Sequence, residues 1–217
     1  GKSADTVDME DMRRGLYSVA QVREMEARAI AGGVPGYTLM QRAGSRCWQE
    51  ILRHWPQASR IHIVCGSGNN GGDGYVLARL AHQAARPVRV WQVGAAPKAG
   101  NGLTAVQDWL KAGGTVQPFC VGALTDAELV VDALFGIGLT RDLAGEALEA
   151  VRAMNVCGVP VLAVDVPSGL DADTGRVLGE AVRAALTVSF MAPKLGLYTG
   201  VAADCVGEVV VDDLGVA

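Results

Sequence analysis

The sequence predicts an α/β fold of three layers, a mostly parallel central sheet with helices on both faces, and three observations carry that prediction. Apolar runs such as "IHIVC", "LVVDALF" and "VPVLAV" are continuous, as in strands buried on both faces, where alternation would mark one wet face. Segments of helical period separate these runs from residue 61 onward, a β-α beat that favours parallel neighbours. The loops after the strands are unusually polar, and open parallel sheets bind ligands outside the carboxyl ends of their strands.

Two helices precede the first strand. Ser18 with Gln21 three residues later forms a capping box, and Gly32-Gly33 with Pro35 closes that helix. Leu39, Met40, Ala43, Cys47 and Ile51 recur at near-helical spacing, so a second helix runs towards Pro56. The alternation then begins with a strand over 61–66, a helix over 73–85, a strand at "PVRVWQV" and a helix over 102–112 stopped by Gly113-Gly114. "TVQPFC" is a short strand, "LVVDALFG" a buried one, 144–156 a helix and "VPVLAVDV" a further strand. "ALTVSFM" and "GEVVVDDL" complete a Rossmann-like sandwich whose strand order the sequence leaves open. With no internal repeat or interdomain linker, residues 1–217 read as a single domain, and the polar stretch 1–14 as its loosely ordered terminus.

Composition narrows the function classes. Half the residues are hydrophobic, enough for a sizeable core, yet no apolar run reaches the ~18 residues of a membrane span. The net charge is −4 and no basic cluster exists beyond Arg13-Arg14, which argues against nucleic acid and anionic membranes and for small-molecule ligands. Five cysteines, odd in number and without a CxxC pair, support neither a disulfide framework nor a zinc site. They read as reduced core residues of a soluble, cytoplasmic protein. His54, His62 and His82 fall on separate elements, so no metal triad or nucleophile–histidine arrangement is indicated.

The first strand-end loop, "GSGNNGGDG", contains a GxGxxG at Gly66, Gly68 and Gly71. A dinucleotide fingerprint also requires a carboxylate closing the second strand, and that strand ends Trp91-Gln92-Val93-Gly94. A phosphate loop of the Walker type would need a lysine after the glycines, and none follows. A helix N-terminus behind glycine-rich backbone is still an anion site, while the plainer alternative is a tight turn capped by Asp73. The other strand-end loops are "DALFGIGLTRD" (132–142), "DVPSGLDADTG" (165–175) and "APKLGLYTG" (192–200). Asp171 and Asp173 look like Asx-turn acceptors.

Taken together and in this order, "GNNGGDGYVLAR", "VDALFGIGL", "VDVPSGLDADTG" and "FMAPKLGLYTG" resemble the YjeF N-terminal domain family, the NAD(P)HX epimerases. The resemblance covers Ser18 to Leu214 and is especially close to the epimerase half of the bacterial bifunctional NAD(P)H-hydrate repair enzymes. It implies interconversion of the R and S epimers of NADHX or NADPHX, nicotinamide nucleotides damaged by addition of water. It implies substrate contact by Asn69, Asn70, Gly71, Gly72 and Asp73, by Gly136, Ile137, Gly138, Leu139, Thr140, Arg141 and Asp142, and by Asp165. It also implies a potassium ion (K+) held by Asn70, Asp132 and Ser168, an oxygen set suited to a hard cation of low charge. Arg141 would suit the pyrophosphate, with a solvated loop charge as the alternative. A homodimer and a fused or separate ADP/ATP-dependent dehydratase are the expected partners.

Epimerisation moves protons to and from a departing and returning oxygen, so a poised acid/base is needed. Asp165, directly after an apolar strand, is the preferred candidate, with a purely substrate-holding role as its competitor. Lys194 could keep Asp165 ionised, exchange a proton itself, neutralise phosphate, or simply lie on the surface. The competing function is a non-catalytic YjeF-N-type binding or dimerisation module, which has no reason to keep Asn70, Asp132, Asp165 and Ser168 together. An ordinary nicotinamide oxidoreductase would need the ribose carboxylate that the second strand lacks.

Overall fold

The structure is a computed structural model and describes residues 15–216, so the expectation for the terminus 1–14 falls outside the described residues. Seven strands, β1 (Ile61–Cys65), β2 (Val88–Gln92), β3 (Val116–Pro118), β4 (Leu129–Ala133), β5 (Val161–Val164), β6 (Leu186–Phe190) and β7 (Glu208–Asp212), form one sheet. Their order is β3-β2-β1-β4-β5-β6-β7. Every pairing is parallel, so the mostly parallel sheet of the sequence reading is parallel throughout. The continuous apolar runs are the buried strands: all residues of β1, β4, β5 and β6 are buried, whereas the edge strands β3 and β7 are partly exposed.

The helices are α1 (Val19–Ala31), α2 (Gly36–His54), α3 (Asn69–Gln83), α4 (Gly100–Lys111), α5 (Gly145–Asn155) and the single turn α6 (Ala203–Val206). Because side chains alternate along a strand, Ile61, Ile63 and Cys65 of β1 face one layer, built by α2, α3 and α4 around Ile51, Leu77 and Trp109. Val64 faces the other, where α5 brings Val151 and Met154 and the turn segment after β3 brings Phe119 and Leu124. The capping box of α1 is present in both directions, Ser18 Oγ accepting from Gln21 N at 3.1 Å and Gln21 Oε1 from Ser18 N at 2.8 Å. Of the cysteines, Cys47, Cys65 and Cys205 are buried, but Cys120 is exposed and Cys157 half-buried, a correction to the core reading; all five are free thiols.

One helix starts earlier than its sequence suggests. The periodicity puts the start at residue 73, but α3 begins at Asn69 with Gly68 at the N-cap, which places Asp73 inside the helix and not at its cap. Asn-Asn-Gly-Gly is a poor helix opening by propensity, each glycine costing about 1 kcal/mol against alanine. Packing overrides that cost. A Cβ on Gly71 would lie 2.0 Å from the Gly66 carbonyl oxygen, and one on Gly74 would lie 2.6 Å from Ala133 Cβ. Gly66 itself stands against the next loop, where a Cβ would meet the Leu134 carbonyl oxygen at 2.0 Å. The glycines thus seat α3 against the ends of β1 and β4, which is where the strand order reverses and a crevice opens in a doubly wound sheet.

Candidate functional site

A cleft of about 730 Å³ lies over this reversal point, floored by the carboxyl ends of the central strands and walled by α1 and α2. At its floor β5 and β6 end alike. Asp165 has φ +70° and is bracketed by the Val166 N to Val164 O bond of 2.9 Å, a γ-turn of the rare positive-φ kind. Met191 repeats it after β6, with φ +74° and Ala192 N to Phe190 O at 3.0 Å. Left-handed backbone at a non-glycine residue costs roughly 1–2 kcal/mol, and such strain collects where a side chain must be aimed.

The aim at Asp165 is specific. Its Oδ1 accepts from Lys194 Nζ at 2.7 Å, from Ser189 Oγ at 3.2 Å and from the Phe190 amide at 3.2 Å. Its Oδ2 has no donor among the described residues and lies 3.5 Å from where a Gly136 side chain would begin. The surface alternative for Lys194 is corrected: the side chain is fully buried. Its three N–H groups are all engaged, by Asp165 Oδ1, by Ser189 Oγ at 2.9 Å and by the Phe190 carbonyl at 2.7 Å. An ammonium so satisfied can be buried, and it has no donor left over for a phosphate.

Beside this pair, Asp132 on β4 is wholly buried, and burial pushes its carboxyl up to about 6 against the pull of its donors. Those donors are the Ser168 amide at 2.7 Å, Ser168 Oγ at 2.6 Å and the Leu134 amide at 3.2 Å. Asn70 donates its Nδ2 to the Val164 carbonyl at 2.7 Å, on the strand paired with that of Asp132. Its Oδ1 is buried without a partner. An orphaned buried amide oxygen, a buried carboxyl group and a serine oxygen make an oxygen-only donor set that fits a hard, weakly charged cation such as potassium. No cluster of three His, Cys, Asp or Glu suited to a transition metal occurs among the described residues.

The other sequence candidates divide. Asn69, Asn70 and Asp73 line the cleft, as do Gly136, Ile137, Gly138 and Leu139. Gly71 and Gly72 do not; a Cβ on Gly72 would meet Met40 Cε at 2.6 Å, so both are packing residues. Thr140, Arg141 and Asp142 are exposed and lie outside the cleft lining. Asp171 is the expected Asx-turn acceptor, taking the Asp173 and Thr174 amides at 2.8 and 3.0 Å. Asp173 instead accepts the Val19 amide at 2.7 Å and fixes the start of α1.

Sequence reasoning missed Arg23 and Glu26, which line the cleft from α1. The sequence does carry a signal: Val22, Glu26 and Ile30 are spaced i, i+4, i+8, so a glutamate occupies the apolar stripe of an otherwise amphipathic helix. Burial and the neighbouring Asp165 raise the Glu26 carboxyl above its ordinary range, while Lys194 and Arg23 pull it down. Asp73 is pushed well up by burial, then by Asp165 and Glu26.

With this geometry in place, comparisons with known proteins give the family. The model of the family described as YjeF-related protein N-terminus matches residues 36–196. The bifunctional NAD(P)H-hydrate repair enzyme Nnr of Coxiella burnetii is 43% identical over 209 residues, covering 93% of this chain and 42% of that protein. The NAD(P)H-hydrate epimerase of Limosilactobacillus fermentum is 41% identical over 209 residues, covering 94% of this chain and 99% of that one. The chain therefore spans under half of the bifunctional relative and nearly all of the shorter one. In fold, the crystal structure of yeast ynu0 matches with a TM-score of 0.73 at 23% identity, over 83% of this chain and 82% of that one. The matched segment runs from the start of α2 past Lys194 and so contains both the strand-end loops and the buried pair: the chain belongs to the YjeF-related N-terminal family.

Proposed function

We propose that the protein is an NAD(P)H-hydrate epimerase, interconverting the R and S forms of NADHX and NADPHX without net redox change. The observation that carries this reading is Asp165, whose Oδ1 is locked by three donors while Oδ2 is free towards a glycine-lined cleft. The hydrated ring carries its hydroxyl on a carbon next to the ring nitrogen. The nitrogen lone pair can expel that oxygen or open the ring, and either route passes through a planar carbon. Both need a proton moved at the oxygen, which the exposed Oδ2 is placed to do. Lys194 acts as a positioning residue: it fixes Oδ1 and balances the charge. Gly136 leaves the reacting ring room beside Oδ2.

Asn70, Asp132 and Ser168 would hold potassium, which when bound supplies a fixed positive charge beside the floor of the cleft. The dinucleotide's phosphates need a cation at the rim, and among the described residues Arg23 is the guanidinium in the lining, its Nη2 lying 3.7 Å from where a Gly138 side chain would begin. Arg23→Ala is expected to raise KM for NADHX about 10-fold with kcat within about threefold, as for a lost charge-assisted contact. Arg141→Ala is expected to leave both within about twofold, because Arg141 stands outside the lining. Steady-state kinetics on the two variants checks this.

The bifunctional relatives suggest the setting: an ADP/ATP-dependent dehydratase, fused or separate, would consume the epimer made here. A cytoplasmic location suits the five free thiols, and no helix among the described residues is long and apolar enough to cross a membrane. A homodimer is compatible with this scheme and is not required by it. The test is a chromatographic time course on one separated epimer, in potassium and then in N-methylglucamine. The protein should speed the approach to the equilibrium mixture, and more so in potassium; a rate equal to the spontaneous one in both salts sinks the assignment.

A further inference from the structure

Inversion at a single carbon presents a problem that one carboxylate does not solve. The hydroxyl leaves from one face of the ring and returns to the other, while Asp165 rises from one side of the cleft only. We propose that Glu26 on α1 is the second proton-transfer group, serving the face of the ring opposite Asp165. This rests on the epimerase reading and adds to it a residue that no strand-end motif contains.

Three observations support the assignment. Of the carboxylates lining the cleft among the described residues, Asp165 follows β5 and Asp73 stands near the start of α3, behind β1, whereas Glu26 comes from α1, the wall that also carries Val22. Second, the half-buried Glu26 has no hydrogen-bond or ion-pair partner among the described residues. Asp73, in the same cleft, is likewise half-buried and unpaired among the described residues, whereas away from the cleft carboxylates shielded to a similar degree are paired, Asp108 with Tyr37 at 2.5 Å and Asp212 with Arg46 at 3.1 Å. A shielded carboxylate left unpaired beside a reaction centre is costly unless a ligand or a proton completes it. Third, α1 is tied to the segment that carries Lys194. Tyr17 N donates to the Pro193 carbonyl and Leu195 N to the Tyr17 carbonyl, both at 2.9 Å, and Asp173 holds the Val19 amide. The spacing between Glu26 and the Asp165–Lys194 pair is thereby fixed by the fold.

The step balances with these groups alone. Protonated Glu26 gives its proton to the hydroxyl, the C–O bond breaks with loss of water, and the nitrogen lone pair forms the C=N bond of a planar iminium. Water adds from the other face, a new C–O bond forms, the nitrogen regains its pair and the Asp165 carboxylate takes the surplus proton. The reverse turnover, or exchange with solvent, returns the enzyme to its starting protonation. Neither oxidant nor reductant is involved.

The test follows separated R and S NADHX in oxygen-18 water with wild type, Glu26→Gln, Glu26→Asp and Asp165→Asn, reading epimer ratio and label together. Wild type should interconvert and label both epimers. Glu26→Gln should slow interconversion about 100-fold or more. One epimer, the one whose hydroxyl faces Asp165, should still take up label with its configuration retained. Asp165→Asn should show the mirror pattern, with retained labelling of the other epimer. Interconversion by Glu26→Gln within about threefold of wild type overturns the proposal, as does loss of labelling in both epimers by a variant whose thermal melt is unchanged. Should the glutamine variant fail to fold, Glu26→Asp is read instead: slowed interconversion with both epimers still labelled supports the proposal, and an unslowed rate overturns it. A wild-type rate equal to the spontaneous one would instead fail the epimerase reading itself.

Discussion

Asp165→Asn is expected to cut interconversion of NADHX epimers by about 10²–10⁴-fold, the usual contribution of a positioned acid/base, without emptying the site of substrate. Asparagine is the most informative replacement. It tolerates the φ of +70° better than most residues, and its amide oxygen can still accept from Ser189, Phe190 and Lys194. What it removes is the charge and the proton-carrying Oδ2. Binding of a non-reacting nucleotide such as NADP+, measured by calorimetry, should therefore stay within about threefold of wild type while turnover collapses. A variant that binds and still epimerises at the native rate would show that Asp165 only holds a substrate hydroxyl, the competing role the sequence allows.

Much of this arrangement is legible in the amino-acid sequence alone, and the rest depends on contacts that local sequence does not encode. The Ser18–Gln21 capping box is a local device, so it predicts the start of α1 correctly. The continuous apolar strands are equally local in character, and each forms where its apolar run lies. Asp132 and Ser168 are far apart in sequence, yet the strand-end rule alone puts them on one rim, where Ser168 Oγ lies 2.6 Å from Asp132 Oδ1. The start of α3 escapes the same reasoning for the opposite cause. Gly71 and Gly74 lower helix propensity, but they are required by the approach of Gly66 and Ala133, which only the folded sheet supplies. Lys194 is similar: nothing in "APKLG" announces burial, since the acceptors that allow it lie on β6 and after β5. Arg23 and Glu26 stand on a helix whose ends carry strong local signals, and the sign of their role is a subtler one, a polar residue in register with Val22 and Ile30.

The buried ion pair makes the second large effect a test of stability as well as of catalysis. Lys194→Met should leave the Asp165 carboxylate, only 14% exposed, without its charge partner. Breaking such a pair from one side costs about 3–5 kcal/mol, which for a domain of this size lowers Tm by roughly 6–20 °C. Because every N–H of Lys194 is already used inside the protein, the variant should lose kcat by about 100-fold while KM moves less than threefold. A rise in KM instead would mean that the lysine touches the substrate, as a phosphate ligand would. Asp165→Asn strands the opposite charge, the ammonium, and should also destabilise, though less, since its amide oxygen keeps the hydrogen bonds. Combining the two changes removes both charges from the buried site, so the double variant should melt above Lys194→Met alone while remaining inactive. Thermal denaturation of the three proteins reads this directly, and strictly additive losses would mean that Asp165 and Lys194 do not act as a pair.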